Sequence, residues 1–84
     1  MRLAQVGDAV IEQILSGELE EPVDYDQDDD EWVVLLQGGA ELEVDGESTV
    51  LRPGDWIVLR SRTPHRLVRT TPGTSWLVAR VPGR

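Results

Sequence analysis

Residues 25–38 read Tyr25-Asp26-Gln27-Asp28-Asp29-Asp30-Glu31-Trp32-Val33-Val34-Leu35-Leu36-Gln37-Gly38, and a counterpart, Pro53-Gly54-Asp55-Trp56-Ile57-Val58-Leu59, runs on to Thr63-Pro64-His65. In each, a polar stretch gives way to a short apolar run closed by a polar residue or a turn former. Runs this short, rich in Val, Ile and Trp, read as strands. Trp32–Gln37 is mostly apolar without alternation, as expected of a strand covered on both faces. Asp55–Leu59 is a second strand.

Gly38-Gly39 breaks the first run. Beyond it Ala40, Leu42 and Val44 alternate with Glu41, Glu43 and Asp45, a period-two strand with one wet face. Asp45-Gly46 is the dipeptide favoured in a two-residue type I′ hairpin, and Ser48–Leu51 returns as its partner. Pro53-Gly54 and Pro72-Gly73 mark two more turns. Arg60–Pro64 reads as a loop, His65–Thr70 as a strand with His65, Leu67 and Arg69 on one face, and Ser75–Val81 as the last strand. Toward the N-terminus, residues 1–7 read as a loose lead-in and Gly17–Pro22 as an acidic turn. Tyr25–Asp30 reads as a loop or irregular strand. Asp8–Leu15 fits a helix by the spacing of Val10, Ile11, Ile14 and Leu15, with Asp8 as N-cap and Gly17 as stop, and also fits a strand. Many short strands between regular turn signals predict an all-β sandwich or barrel.

The 84 residues allow one domain, expected over 1–84. A chain of this size buries only ~60–65% of its unfolded surface, so a ligand, a metal or a partner subunit is a natural aid to stability. There is no cysteine, which excludes disulfides and thiolate metal sites. No apolar run approaches the ~18 residues of a membrane helix, and the N-terminus lacks the pattern of a signal peptide. A cytoplasmic protein without a membrane partner is the expectation. The net charge of −8 argues against nucleic acid as a partner. That charge is lopsided: residues 1–47 hold 15 acids and one Arg, residues 48–84 seven Arg and one acid, and no lysine occurs. The Arg-only usage reads either as compositional bias or as forked guanidinium groups set beside carboxylates or phosphates.

The two quoted stretches resemble the paired motifs of the cupin family, over about residues 13–81. The first motif is His-x-His, three residues, Glu, six residues, Gly. Glu31 and Gly38 keep that spacing, while Tyr25 and Gln27 stand in place of the histidines. The second motif is Gly, five residues, Pro-x-Gly, two residues, His, three residues, Asn. Gly54 and His65 match, and Arg60, Arg62 and Arg69 replace the Pro, Gly and Asn. The resemblance implies a cupin-type double-stranded β-helix, a jelly-roll barrel. It also favours the strand reading of residues 8–15.

Carried over residue by residue, the resemblance implies Gln27, Glu31 and His65 as ligands of a divalent metal (Mn, Fe(II), Ni or Zn), with Tyr25 either as a fourth or as a hydrogen-bonding group for a ligand at the pocket mouth. The other reading of the same residues is a hydrogen-bonded polar cluster in a metal-free pocket. His65 is the only histidine, and with Glu31 as its partner it could serve as an acid or base. Arg69 shares the His65 face and is expected to point inward, toward a carboxylate or an anionic ligand. Asp24, Asp26 and Asp28 match the first ligands of a calcium loop, but Asp29 stands where that loop needs Gly and Leu35 where it needs Glu. Nucleophile elbow, P-loop and dinucleotide fingerprint are all missing, so no catalytic residue is singled out.

The expected function is binding of a small, polar, oxygen-rich molecule, with or without a metal. Two alternatives stand beside it: a metal-dependent enzyme of dioxygenase or isomerase type, and a non-catalytic module that senses a ligand or scaffolds a partner. Three Trp in a small chain without disulfides suggest subunit contacts, so a homodimer is expected.

Overall fold

Asp45 and Gly46, with φ of 51° and 79°, join Val44 to Glu47 in a two-residue turn. Positive φ at both central positions is the type I′ geometry, whose twist matches that of the strands it connects. Around this hairpin the computed structural model describes residues 1–83; Arg84, the last residue of the expected domain, lies outside them. Among the described residues there are nine strands and no helix: β1 (Arg2–Val6), β2 (Ala9–Ser16), β3 (Val23–Tyr25), β4 (Asp30–Gln37), β5 (Ala40–Val44), β6 (Glu47–Leu51), β7 (Trp56–Leu59), β8 (His65–Thr70) and β9 (Thr74–Val81). No described helix is long and apolar enough to cross a membrane.

All pairings are antiparallel, in one sheet of order β1-β2-β9-β4-β7 and another of order β3-β8-β5-β6. The late strands β8 and β9 are inserted between early ones, as a jelly roll requires. Period-two alternation sends Val33, Leu35, Leu59, Trp76 and Val78 inward from the first sheet, to meet Ala40, Leu42, Leu51 and Leu67 from the second. Each buried Val or Leu of this set stabilises the fold by roughly 1.5–3 kcal/mol. The Trp76 indole N–H is satisfied within the protein, donating to Ser16 Oγ at 3.1 Å.

The topology explains the lopsided charge. Every ion pair among the described residues joins an acid from residues 1–47 to an Arg from residues 48–84. Acidic β2, β3, β4 and β5 lie beside basic β8 and β9, so the two halves neutralise each other within one molecule. Arg beside carboxylate is therefore what the Arg-only usage looks like here, exposed for the most part.

Three expectations are corrected, and one reading left between two patterns is decided. Residues 2–6 are a strand, joined to β2 through Gly7-Asp8 with Gly7 at φ 57°, and the strand is exposed throughout. Its weak apolar pattern follows from its place at the sheet edge. Residues 9–16 form the strand that the resemblance favours, paired with β9 from Val10 to Ser16, so the helical spacing of the same residues is not used. β4 is covered on one face only: Trp32 and Leu36 are 38% and 43% exposed on the other.

The third correction is Arg69. It does not share the His65 face. Glu41 pairs with Arg69 and Leu42 with Leu67, so Val68 is an extra residue that interrupts the ladder. This bulge shifts the alternation by one. Thr70 turns inward, and Arg69 turns out to pair with Glu41, Nε to Oε1 at 3.0 Å.

Candidate functional site

Strand register brings one end of both sheets together. Glu31 on β4 lies opposite Leu59 and Arg80, while Tyr25 on β3 and Val44 on β5 lie opposite His65. Between these strand ends is a cavity of about 160 Å³. Val33, Leu42, Leu59, Leu67 and Val78 form apolar walls, and Tyr25, Gln27, Glu31, His65 and Arg80 supply polar groups. Tyr25, Gln27, Glu31 and His65 thus line one cavity, and Arg69 does not.

Glu31 and His65 are each only 7% exposed. The rings of Tyr25 and His65 stack, with centroids 5.4 Å apart at 14°, since the two residues face each other across β3 and β8. His65 Nδ1 lies 3.1 Å from the Thr63 carbonyl oxygen. A carbonyl only accepts, so Nδ1 carries the hydrogen and a neutral ring keeps its lone pair on Nε2.

Gln27 sits on the loop between β3 and β4. That loop is tied to the one between β7 and β8: Arg62 N–H donates to the Gln27 carbonyl at 2.7 Å, and Ser61 N–H to Asp30 Oδ1 at 2.7 Å. Arg62 occupies the glycine position of the second motif and has φ 58°, the left-handed backbone that glycine adopts freely. Its guanidinium lies 3.3 Å from Asp26 and 3.0 Å from Asp28, on either side of Gln27. The Asp28 hydrogen bond foremost, then both charges, raise the Arg62 pKa. Nearby, the Arg66 hydrogen bond holds the Asp24 carboxyl below its ordinary value, partly opposed by burial. The acidic run is therefore a clasped loop.

Arg80 is the site residue that sequence reasoning missed. Its Nη2 lies 3.3 Å from Glu31 Oε2, its Nε 3.2 Å from Asp29 Oδ2 and its Nη1 2.7 Å from Glu12 Oε1. The last contact is close, but the N–H does not point along it, and Glu12 Oε1 accepts no hydrogen bond despite its burial. The signal was present on β9: Trp76, Val78 and Arg80 share the inward phase.

Glu31 Oε1 accepts a hydrogen bond from the Gln27 amide, and Oε2 accepts one from Arg80. Both oxygens of the expected metal-binding carboxylate are thus engaged. Gln27 offers Glu31 its N–H group, where a metal ligand must offer a lone pair. Among the described residues no three His, Cys, Asp or Glu side chains are placed to hold a metal ion. The donor set does not fit a divalent cation in this arrangement. The polar groups form two units instead: Gln27, Glu31 and Arg80 in one, Tyr25 and His65 in the other.

A family model described as Cupin domain matches residues 10–79. A candidate mannose-6-phosphate isomerase from Ralstonia eutropha is similar in structure, with a TM-score of 0.86 and 32% identity over 98% of this chain and 82% of that one. KdgF from a Halomonas species also gives 0.86, at 24% identity over 100% of this chain and 77% of that one. A cupin-2 domain protein from Shewanella frigidimarina gives 0.74, at 17% identity over 98% and 78%. The last two likenesses show the fold alone. No curated protein matches the chain.

Proposed function

The chain belongs to the cupin family, and from that premise we propose that it binds a small, neutral, hydroxylated molecule in the cavity around Tyr25, Gln27, Glu31, His65 and Arg80. The observation that carries this is the cavity itself, about 160 Å³ with apolar walls and polar groups at one end of the strands. A cavity of about 150 Å³ accepts one six-membered ring. Ligand hydroxyls can donate to Glu31 and to His65 Nε2, and can accept from Gln27 and Arg80. Three carboxylates share the Arg80 guanidinium, and that excess of negative charge favours a neutral ligand over an anionic one. The likeness to a candidate sugar-phosphate isomerase supports a ligand of monosaccharide size.

Thermal melts with single-ring sugars, sugar lactones and cyclic polyols test the proposal. A compound at a hundredfold excess over its Kd stabilises the native state by about 2.7 kcal/mol. His65→Ala and Glu31→Gln should abolish the rise. Failure of every compound in these classes to shift the melt would overturn it. A second reading, an isomerase acting on such a ligand, is favoured by His65, whose bond to Thr63 leaves Nε2 free to take or give a proton. Conversion of a compound that shifts the wild-type melt, measured as product formed by the wild-type protein, is its signature.

We also propose that two copies pair through the outer face of the larger sheet. Trp32, Val34 and Leu36 on β4 lie beside Trp56 and Val58 on β7 and Leu77 on β9. Trp56 is 61% exposed, with its ring centroid 6.5 Å from that of Trp32. Contiguous exposed apolar surface of this kind marks an interaction site. The chain carries a net charge of −8, so two copies repel except where a charge-free face lets them approach.

A further inference from the structure

Glu31 is the carboxylate that the cavity buries, and a cation of the protein's own already sits on it. The Arg80 guanidinium is held from three directions, by Glu12 on β2, Asp29 on the loop before β4, and Glu31 on β4. Guanidinium is not deprotonated in proteins, so this cation is permanent. Gln27 closes the other oxygen of Glu31 with an amide N–H. A divalent ion on Glu31 would have to displace both groups. It would then sit within a few ångströms of a fixed positive charge that its other carboxylate partners keep in place.

We propose that Arg80 stands in the place of a metal ion: it neutralises Glu31, holds it in position, and lets the pocket bind its ligand with protein groups alone. This rests on the cavity being the ligand site. The chain has exchanged lone-pair donors for a built-in cation, with Tyr25 and Gln27 at the two histidine positions of the first motif and Arg80 beside its Glu. Arg80 thereby acts as a positioning residue for Glu31, whose carboxylate meets the ligand.

The test uses the whole chain, purified without an affinity tag. Mn(II), Ni(II) and Zn(II), each added to millimolar concentration, should leave the wild-type melting temperature unchanged. Paramagnetic Mn(II) should leave the His65 ring resonances sharp. Arg80→Met keeps the apolar stem and removes the charge, leaving Glu12, Asp29 and Glu31 without the cation they share; it should bind Ni(II) at least tenfold more tightly than wild type. A saturable rise in the wild-type melt that His65→Ala abolishes overturns the proposal. So does a folded Arg80→Met protein that gains no metal affinity. If Arg80→Met does not fold, the wild-type resonances decide: broadening at stoichiometric Mn(II) overturns the proposal, and sharp lines sustain it. Ligand melts run in chelator separate this idea from the pocket reading. Binding only when metal is added keeps the pocket and overturns the role of Arg80. Exclusion of metal with no ligand bound sustains Arg80 and removes the pocket reading.

Discussion

Gly38 faces Thr74 so closely that a Cβ on it would lie 2.8 Å from the Thr74 Cα. Gly38 also has φ of 87°, so the glycine of the first motif is required twice, by backbone conformation and by contact. Thr74 cannot retreat: it is 1% exposed, and its hydroxyl donates to the Thr71 carbonyl at 2.7 Å. Gly38→Ala should cost about 2–5 kcal/mol, from roughly 1–2 for a left-handed non-glycine residue and roughly 1–3 for overpacking. Urea unfolding measures this. A variant within ~0.5 kcal/mol of wild type would contradict it.

The bulge at Val68 makes Arg69 a surface residue. Arg69→Ala should leave ligand binding unchanged and stability nearly so, as is usual for one partner of an exposed pair. A loss of ligand affinity would show that the side chain reaches the cavity after all.

Glu41 carries the pH signature of that surface. The Ser48 hydrogen bond first, then the Arg69 hydrogen bond, hold its carboxyl below the ordinary value of 4.5. A folded pKa below the unfolded one stabilises the protein above the unfolded value, and the contribution is lost as pH falls through the lower folded value. Carboxyl NMR titration should therefore show Glu41 titrating below the ordinary glutamate range. Ser48→Ala and Arg69→Ala should each raise its midpoint toward the ordinary value. A midpoint that neither substitution moves would contradict the assignment.

Asp24 should behave alike on the other side of β8. Its hydrogen bond from Arg66 Nε, 2.7 Å long, is the main cause of its lowered pKa. Arg66→Ala should return the Asp24 midpoint toward its ordinary value and remove the share of acid-dependent stability lost below that value. An unmoved midpoint would mean that Arg66 is not the cause.

The two faces of β4 should separate in one experiment. Leu35 is fully buried and Leu36 is 43% exposed. Leu35→Ala should cost about 2–5 kcal/mol by opening a core cavity. Leu36→Ala and Trp56→Glu should leave the single chain folded and dissociate the pair. Sedimentation at micromolar concentration should show wild type at twice the chain mass of 9.4 kDa and Trp56→Glu at the chain mass. A wild-type protein that sediments as a single chain would end the dimer proposal.

Local chemistry carried much of the fold. Asp45-Gly46 determines its own turn because both residues tolerate positive φ, and the alternation from Ala40 to Val44 determines which side chains meet the core. The likeness of Glu31, Gly38, Gly54 and His65 to the cupin motifs pointed to the end of the strands where Glu31 and His65 line one cavity. Three things lay beyond the reach of any local pattern. Residues 9–16 suit two periods, and the strand that the resemblance favoured is held by pairing with β9. One extra residue at Val68 reverses the direction of Arg69, because alternation holds only while the ladder is unbroken. Arg80 meets Glu12 and Glu31 from opposite ends of the chain, a convergence that the sheet order β2-β9-β4 creates. Alternation is a property of neighbouring residues and can be read from them. Which distant charge neutralises a buried carboxylate is decided by strand order, which the tertiary structure alone sets.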